Sequence, residues 1–372
     1  MDKGTNTKEP LRVAQIIGKM WAGGVETVVF NYYREIDHNK VQFDFFYDSD
    51  STVTPPKDII SMGAKFYKLP PYQRLWRYIP ELRKYLLENN YSIVHSHLNT
   101  ISVFPLFVAW LVKTPVRIAH NHSVLGGNEW KRNILKLFLR HFSKIFATNY
   151  FACSEKAGRW LFGNKNFDKG KVLIVNNAIN FDKFNISEQT ISNIKDKLSL
   201  ENRIVIGHVG RFTYAKNHMK LLDIFDEIYK KNNNACLLLI GDGELHNDIV
   251  ERVKELGLTG KVICTGKVSN PEVYYPLMDL IILPSYFEGF SIVSIEAQIS
   301  GIPVLVSDAV SKEVCISTAC KYMNLKENNR KWAEQAISML NMKVELFPAC
   351  YRYDIKKCAP KLQGWYLKHG KK

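Results

Sequence analysis

Several things are missing from this sequence, and each absence narrows what the chain can be. No apolar run reaches the ~20 residues of a bilayer-spanning helix; the nearest, Ile101 to Val112, is too short. Met1-Asp2-Lys3-Gly4-Thr5 lacks the charged-then-apolar layout of a signal peptide. Seven cysteines are scattered without C-x-x-C or other metal spacing, and their number is odd. That argues against a disulfide scaffold and against a cysteine-held metal, and for reduced thiols in a cytoplasmic protein. No strand is followed by G-x-G-x-x-G opening a helix, which disfavours a dinucleotide oxidoreductase.

What is present fits an ordinary globular protein, with 46% hydrophobic residues in 372, a length comfortable for two domains. The net charge is +15, and it is unevenly spread. Residues 1–185 hold 26 Lys+Arg against 15 Asp+Glu, leaving 25 against 21 for the rest. The positive field therefore belongs mainly to the N-terminal half. Its sign suits nucleic acid, anionic lipid or anionic small molecules alike. No recognised nucleic-acid-binding motif accompanies it, so nucleic acid is not expected.

Strands and helices alternate along that half. Strands are predicted near 11–17, 41–47, 64–69, 92–95, 116–119, 150–153 and 171–175, with helices near 25–36, 79–87, 102–112, 129–146 and 154–162. This is the pattern of a parallel α/β domain. Gly23-Gly24 before the first helix would let a ligand approach the backbone, though an ordinary turn has the same composition. Two helices are basic and aromatic together: residues 74–85, with Arg74, Trp76 and Arg77, and residues 130–146, with Lys131, Arg132, Lys136, Phe138, Arg140 and Phe142. Such helices can lie on an anionic membrane, or can pack their apolar face on the sheet and solvate the basic one. His95-Ser96-His97 and His120-Asn121-His122 each close a strand, on the side where open sheets bind ligands. No Cys, Asp or Glu lies close by in sequence to complete a metal set, so neutral histidines serving a hydroxyl or phosphate are expected.

The polar stretch around residues 187–202 reads as an inter-domain connection, and a second α/β series follows it. Arg211 and Lys216 lie just past its first strand, spaced to point at a common anion; Arg offers a planar fork and Lys a compact charge. Farther on, the apolar run 279–283 ends at Pro284-Ser285 and leads into Phe287-Glu288-Gly289-Phe290-Ser291-Ile292-Val293-Ser294-Ile295-Glu296. Here a strand gives way to a helix start, where free N–H groups suit phosphate. Carboxylates beside it, Glu288 and Glu296, are suited to hydroxyls, or are merely acidic residues favoured by the helix dipole. Two cations and two carboxylates on one sheet edge match a nucleoside diphosphate sugar, with hydroxyls at both ends and phosphates between.

Taken together, Gly210-Arg211-Phe212, Lys216-Asn217, Gly241-Asp242-Gly243 and the Glu288-x7-Glu296 pair, with Gly23-Gly24-Val25-Glu26 and Val94-His95-Ser96-His97, resemble the retaining nucleotide-sugar glycosyltransferases of family four. The resemblance covers nearly the whole chain and is nearest to bacterial capsular and exopolysaccharide enzymes. It implies the GT-B fold: two Rossmann-like domains facing across a cleft. Residues 1–180 would form the acceptor side, with a C-terminal helix at about 353–368 docking back on it, and residues 181–352 would bind the donor.

The same resemblance implies roles. Arg211 and Lys216 would hold the donor diphosphate, Glu288 hydroxyls of the transferred sugar, and Glu296 the ribose. Backbone of Gly23, Gly24, Gly289, Phe290 and Ser291 would approach phosphates and sugar, and His120 or His122 would line the reaction centre. No metal or other cofactor is expected, since Arg, Lys and helix ends supply the charge stabilisation. The partners would be a nucleotide sugar, a glycan or polyprenyl-linked saccharide acceptor and an anionic membrane surface, placing the protein in the cytoplasm or on the inner face of the plasma membrane. No carboxylate is a convincing covalent nucleophile, so front-face substitution is expected. One departure stands out: Ala309-Val310-Ser311-Lys312-Glu313 lacks the glycines that the family often has there. A nucleotide-sugar 2-epimerase and a non-catalytic partner subunit are the competing readings.

Overall fold

The computed structural model describes residues 9–21, 23–123, 130–288 and 290–370, with the backbone alone at 130–133. Gly289 therefore lies outside the described residues, as do the side chains of Lys131 and Arg132. The chain forms two compact units. One holds the described residues up to Ile179 and returns at Arg352; the other holds Asn180–Tyr351.

In the first unit, seven parallel strands form one sheet among the described residues: β1 (Leu11–Gly18), β2 (Val41–Asp48), β3 (Lys65–Leu69), β4 (Ile93–Ser96), β5 (Val116–Asn121), β6 (Asn149–Ala152) and β7 (Val172–Ile174), in the order β3-β2-β1-β4-β5-β6-β7. All eight residues of β2 are buried, as expected of a parallel strand covered on both faces. Phe45 of β2 packs edge to face with Phe30 and Tyr33 of the helix Gly24–Glu35, and Phe43 packs tilted against Tyr33. The C-terminal helix Ile355–His369 lies on the same unit, where Phe43 meets Tyr366 and the Gln363 carboxamide accepts from the Asp37 amide at 2.6 Å.

The second sheet contains β8 (Ile204–Val209), β9 (Ala235–Ile240), β10 (Val262–Cys264), β11 (Leu280–Leu283), β12 (Val304–Ser307) and β13 (Cys320–Met323), in the order β10-β9-β8-β11-β12-β13. Trp332, Phe212, Phe225, and Leu237 and Leu239 of β9 belong to its core. In each unit the strand order reverses direction once, between β1 and β4 and between β8 and β11. Open sheets bind ligands at that point, beyond the carboxyl ends of the strands.

Two elements correct the sequence expectation, and a third bears on a choice that it leaves open. The supposed connection around 187–202 contains a helix, Glu188–Leu198, whose N-cap Ser187 accepts from the Thr190 amide. Its Ile191, Ile194 and Leu198 are spaced for one face, a signal outweighed by the polar residues around them. The helix predicted from Ile79 starts at Leu75 and contains Pro80. The apolar side chains of the helix Trp130–Phe142 are not all packed on the sheet: Ile134 and Phe138 are 58% and 60% exposed.

Candidate active site

In the second unit, the turn after β8 and the turn after β11 are joined by backbone and side-chain bonds. Asn217 adopts a left-handed conformation (φ 57°), ends the tight turn Tyr214–Lys216 and begins the helix His218–Lys231. Its side-chain carboxamide donates to the Pro284 carbonyl at 3.0 Å, and the Tyr286 backbone amide donates to the Ala215 carbonyl at 2.8 Å. These bonds bring Lys216 to Glu288, with Nζ and Oε1 2.6 Å apart. Both side chains are largely buried, at 19% and 11% exposure, so the pair is shielded from the solvent screening that weakens surface ion pairs. Ser285 donates to the other Glu288 oxygen at 3.1 Å, and the Ser285 carbonyl accepts from Ser307 of β12 at 2.6 Å. The Glu288 carboxylate is thus oriented on both oxygens.

The Arg211 side chain is half exposed and lies 3.7 Å from Glu244. The glycines of Gly241-Asp242-Gly243 have a packing reason. A Cβ on Gly241 would sit 2.0 Å from the Gly210 carbonyl oxygen, and one on Gly243 2.4 Å from that of Phe212. The Phe212 amide donates to Asp242 O, and the Leu245 amide to Phe212 O. That double contact sets the path of the loop bearing Arg211.

Glu296 sits within the helix Ile292–Ile299 and accepts from the Tyr275 hydroxyl at 2.5 Å. Burial raises its carboxyl to about 7, and the Tyr275 bond opposes the rise. Ser291 is buried, and its hydroxyl caps the same helix by accepting from the Ser294 amide. Phe290 beside it is buried as well.

In the first unit, Gly23 is the N-cap of the helix Gly24–Glu35. A Cβ there would meet the Glu26 carboxylate at 2.9 Å, and that carboxylate folds back to accept from the Trp21 amide. Gly24 next to it is exposed. The two His-x-His motifs, separate in sequence, converge because β4 pairs with β5. His95 bonds His120 at 3.0 Å and His97 bonds His122 at 2.9 Å, and all four rings are buried. Burial holds His95, His97 and His120 well below the ordinary imidazole range and His122 at about 4, with Asn177 partly opposing the shift at His122. All four are neutral at pH 7.

Nitrogens of His95, His97 and His120 lie within 4.8 Å of one another, so each His-x-His is accompanied by the other rather than by an acidic residue. Both nitrogens of His95 and both of His97 are already engaged, by His120 and Tyr366 and by His122 and Gln15. A cation bound there would have to displace those bonds.

Sequence reasoning passed over Ser285, Tyr275, Gln15 and His208. Ser285 was legible only as a strand stop. His208, buried in β8, bonds the Ile282 carbonyl at 2.8 Å and is held at about 4 by burial, with a further lowering from nearby Lys216. Gln15 and Tyr275 look like ordinary residues until the fold pairs them with His97 and Glu296.

With this geometry established, similarity to known proteins becomes specific. Residues 190–353 match the profile of glycosyl transferases group 1, and residues 22–183 that of glycosyltransferase family 4. The chain is 31% identical over 330 residues to EpsF of Bacillus subtilis, which carries a glycosyltransferase name, covering 87% of this chain and 86% of EpsF. It is 26% identical to the capsular polysaccharide biosynthesis glycosyltransferase CapH of Staphylococcus aureus, over 93% and 90% of the two chains. It is 22% identical to a UDP-Gal:alpha-D-GlcNAc-diphosphoundecaprenol alpha-1,3-galactosyltransferase of Escherichia coli, over 82% and 81%. Among solved structures, HepE of Anabaena in complex with UDP superposes with a TM-score of 0.78 at 16% identity, covering 96% of this chain and all of HepE. The chain belongs to the family-four, group 1 glycosyltransferases and has their GT-B fold of two parallel-sheet α/β domains.

Proposed function

We propose that this glycosyltransferase moves a sugar from a UDP-sugar to a glycan or polyprenyl-linked saccharide during capsular or exopolysaccharide assembly, with retention of anomeric configuration and without a metal. The observation that carries the donor assignment is the buried Lys216–Glu288 pair at the β8/β11 reversal. An ammonium has three donors and Glu288 takes one, leaving the others for diphosphate oxygens. Arg211, exposed on the neighbouring loop, adds a second cation able to reach a flexible anion. Glu288 serves hydroxyls of the transferred sugar, and Glu296 those of the ribose, releasing Tyr275 in part to do so. Backbone at Gly23, Gly24, Gly289, Phe290 and Ser291 lines the approach of phosphates and sugar, and His120 and His122 line the reaction centre. The UDP of the HepE complex and the names of the capsular and undecaprenol-linked relatives support the donor and acceptor classes.

In this reading the leaving diphosphate takes the proton of the attacking hydroxyl on the same face of the sugar. Lys216 and Arg211 stabilise the charge that develops as the glycosidic bond breaks. No covalent sugar–enzyme intermediate forms. The residues up to about 180, with the C-terminal helix, bind the acceptor.

The protein works in the cytoplasm, on the inner face of the plasma membrane. Among the described residues no helix is long and apolar enough to cross a membrane. The exposed Ile134, Leu135, Phe138 and Ile145, interleaved with Lys136, Arg140 and Lys144, suit insertion at an anionic surface. The deciding experiment is a screen of nucleotide sugars against membrane extract, in EDTA, following free nucleotide and product. Acceptor-dependent UDP release with an axial-for-axial or equatorial-for-equatorial product supports the assignment. Conversion of the donor without acceptor would identify an epimerase instead, and absence of nucleotide binding a non-catalytic subunit.

A further inference from the structure

The four buried histidines of the first unit all trace back to one amide. Gln15, in β1, donates from Nε2 to the Tyr366 hydroxyl at 3.3 Å. Tyr366 Oη lies 2.6 Å from His95 Nδ1, His95 Nε2 lies 3.0 Å from His120 Nδ1, and His120 Nε2 is buried with no partner among the described residues. On the other side, Gln15 Oε1 lies 2.8 Å from His97 Nε2, His97 Nδ1 lies 2.9 Å from His122 Nε2, and His122 Nδ1 is likewise buried with no regular hydrogen bond among the described residues, the Asn177 side chain being the neighbour that acts on this ring. Two chains of hydrogen bonds thus start at one side chain and end at two adjacent rings, whose centroids are 3.9 Å apart.

A neutral imidazole has one N–H and one lone pair, so a bond at one nitrogen dictates the role of the other. Burial keeps the four rings neutral. Along the first chain, the Tyr366 hydroxyl accepts from Gln15 and donates to His95 Nδ1. His95 must then donate from Nε2 to His120 Nδ1, and His120 carries its proton on Nε2. Along the second chain, the Gln15 carbonyl accepts from His97 Nε2, His97 Nδ1 accepts from His122 Nε2, and His122 Nδ1 is left as a lone pair. All four rings hold the Nε2–H tautomer. One chain ends in a donor and the other in an acceptor.

We propose that Gln15 is a positioning residue whose amide fixes the tautomers of His95, His97, His120 and His122, so that His120 and His122 present opposite hydrogen-bonding senses to a substrate hydroxyl. The opposition comes from the amide itself, which has one carbonyl and one amino group. Turning it over would reverse every bond and exchange the two ends; it could not make both ends donors or both acceptors. A hydroxyl, which gives one hydrogen bond and takes another, answers both ends. A carboxylate or an ammonium answers only one. The tautomer assignment needs only the free protein, whereas its bearing on transfer rests on the glycosyltransferase activity proposed above.

The test is long-range 1H–15N correlation on the full chain labelled at histidine, which reports the tautomer of each ring. All four rings of the wild type are expected as Nε2–H. In Gln15→Glu the carboxylate can only accept, so the Tyr366 hydroxyl turns to it. His95 and His120 then switch to Nδ1–H, while His97 and His122 stay as they were. Tyr366→Phe, a smaller change should the buried glutamate prevent folding, leaves His95 and His120 in mixed tautomers and His97 and His122 unchanged. Mixed tautomers or imidazolium in the wild type at pH 7.5, or no change in either variant, would overturn the assignment. In transfer assays the switched Gln15→Glu protein should lose turnover on the order of 10²-fold, with little change in donor KM. Full turnover with switched tautomers would overturn the positioning role. A chain inactive on every donor but showing the predicted tautomers would refute the transferase activity and leave the assignment standing.

Discussion

At the scale of single residues, the proposed chemistry rests on charges that the fold partly buries and partners. Lys216 is held by Glu288 in a place where water screens poorly. Lys216→Ala should lower kcat by orders of magnitude, at ~3 kcal/mol or more of transition-state stabilisation. Steady-state kinetics with the identified donor measures this, and normal turnover would remove Lys216 from the diphosphate clamp. Glu296 gives a sign that can be checked without substrate. Its carboxyl is raised to about 7 in the folded protein, so the fold favours the protonated form. Its contribution to stability is complete below the unfolded carboxyl pKa and is lost as pH rises through about 7. Glu296→Gln should therefore match wild type near pH 4.5 and be more stable near pH 8, by on the order of 3 kcal/mol. Urea unfolding at the two pH values tests it; equal stability at pH 8 would contradict the raised pKa.

Elements decide where those residues stand. The Gly241-Asp242-Gly243 turn is a spacer between two loops, because its missing side chains let it touch the Gly210–Phe212 backbone. Gly243→Ala places a methyl 2.4 Å from the Phe212 carbonyl oxygen, which cannot swing away as a side chain could. We expect a loss of ~1–3 kcal/mol in stability together with weaker donor binding, because the loop carrying Arg211 must move. Calorimetry and nucleotide titration would show both effects, and an unaffected variant would mean that the turn yields freely. The helix Trp130–Phe142 makes the opposite point, since Leu139 is buried whereas Ile134, Leu135 and Phe138 are exposed. Changing Phe138 and Ile145 to Asp should abolish sedimentation with vesicles containing phosphatidylglycerol while leaving the melting temperature within a degree or two. Undiminished sedimentation would exclude this helix as the membrane contact.

Across the whole molecule, buried neutral histidines tie stability to pH. Burial depresses His95, His97 and His120, and holds His122 and His208 at about 4 and His218 at about 2. A depressed imidazole contributes stability that is present above its unfolded pKa of ~6.5 and is lost as pH falls toward the folded value. At pH 5.5 each ring that stays neutral when folded costs about 1.4 kcal/mol relative to pH 7.5. Denaturant midpoints should fall steeply between those pH values, and a flat profile would mean that the rings are charged in the native state.

The fold and the family were legible along the chain because alternating apolar runs, paired carboxylates and glycines at fixed offsets are local patterns. Runs such as Ala235–Ile240 declare buried strands wherever they occur. Less was legible where composition and spacing disagreed. The helix Glu188–Leu198 has a Ser cap and helical spacing but the polarity of a linker, and β13, Cys-Lys-Tyr-Met, has no pattern of its own. Sequence alone determined that the chain forms two parallel α/β units and that Lys216, Glu288 and the two His-x-His pairs end up at strand termini, since hydrophobic periodicity and strand stops are encoded within a few residues. Only the tertiary structure decided that Lys216 pairs with Glu288, and that four histidines join through Gln15 and Tyr366. Those contacts span separations of up to 351 residues. They depend on strand order, on which loop lies beside which, and on side-chain directions that no local pattern records.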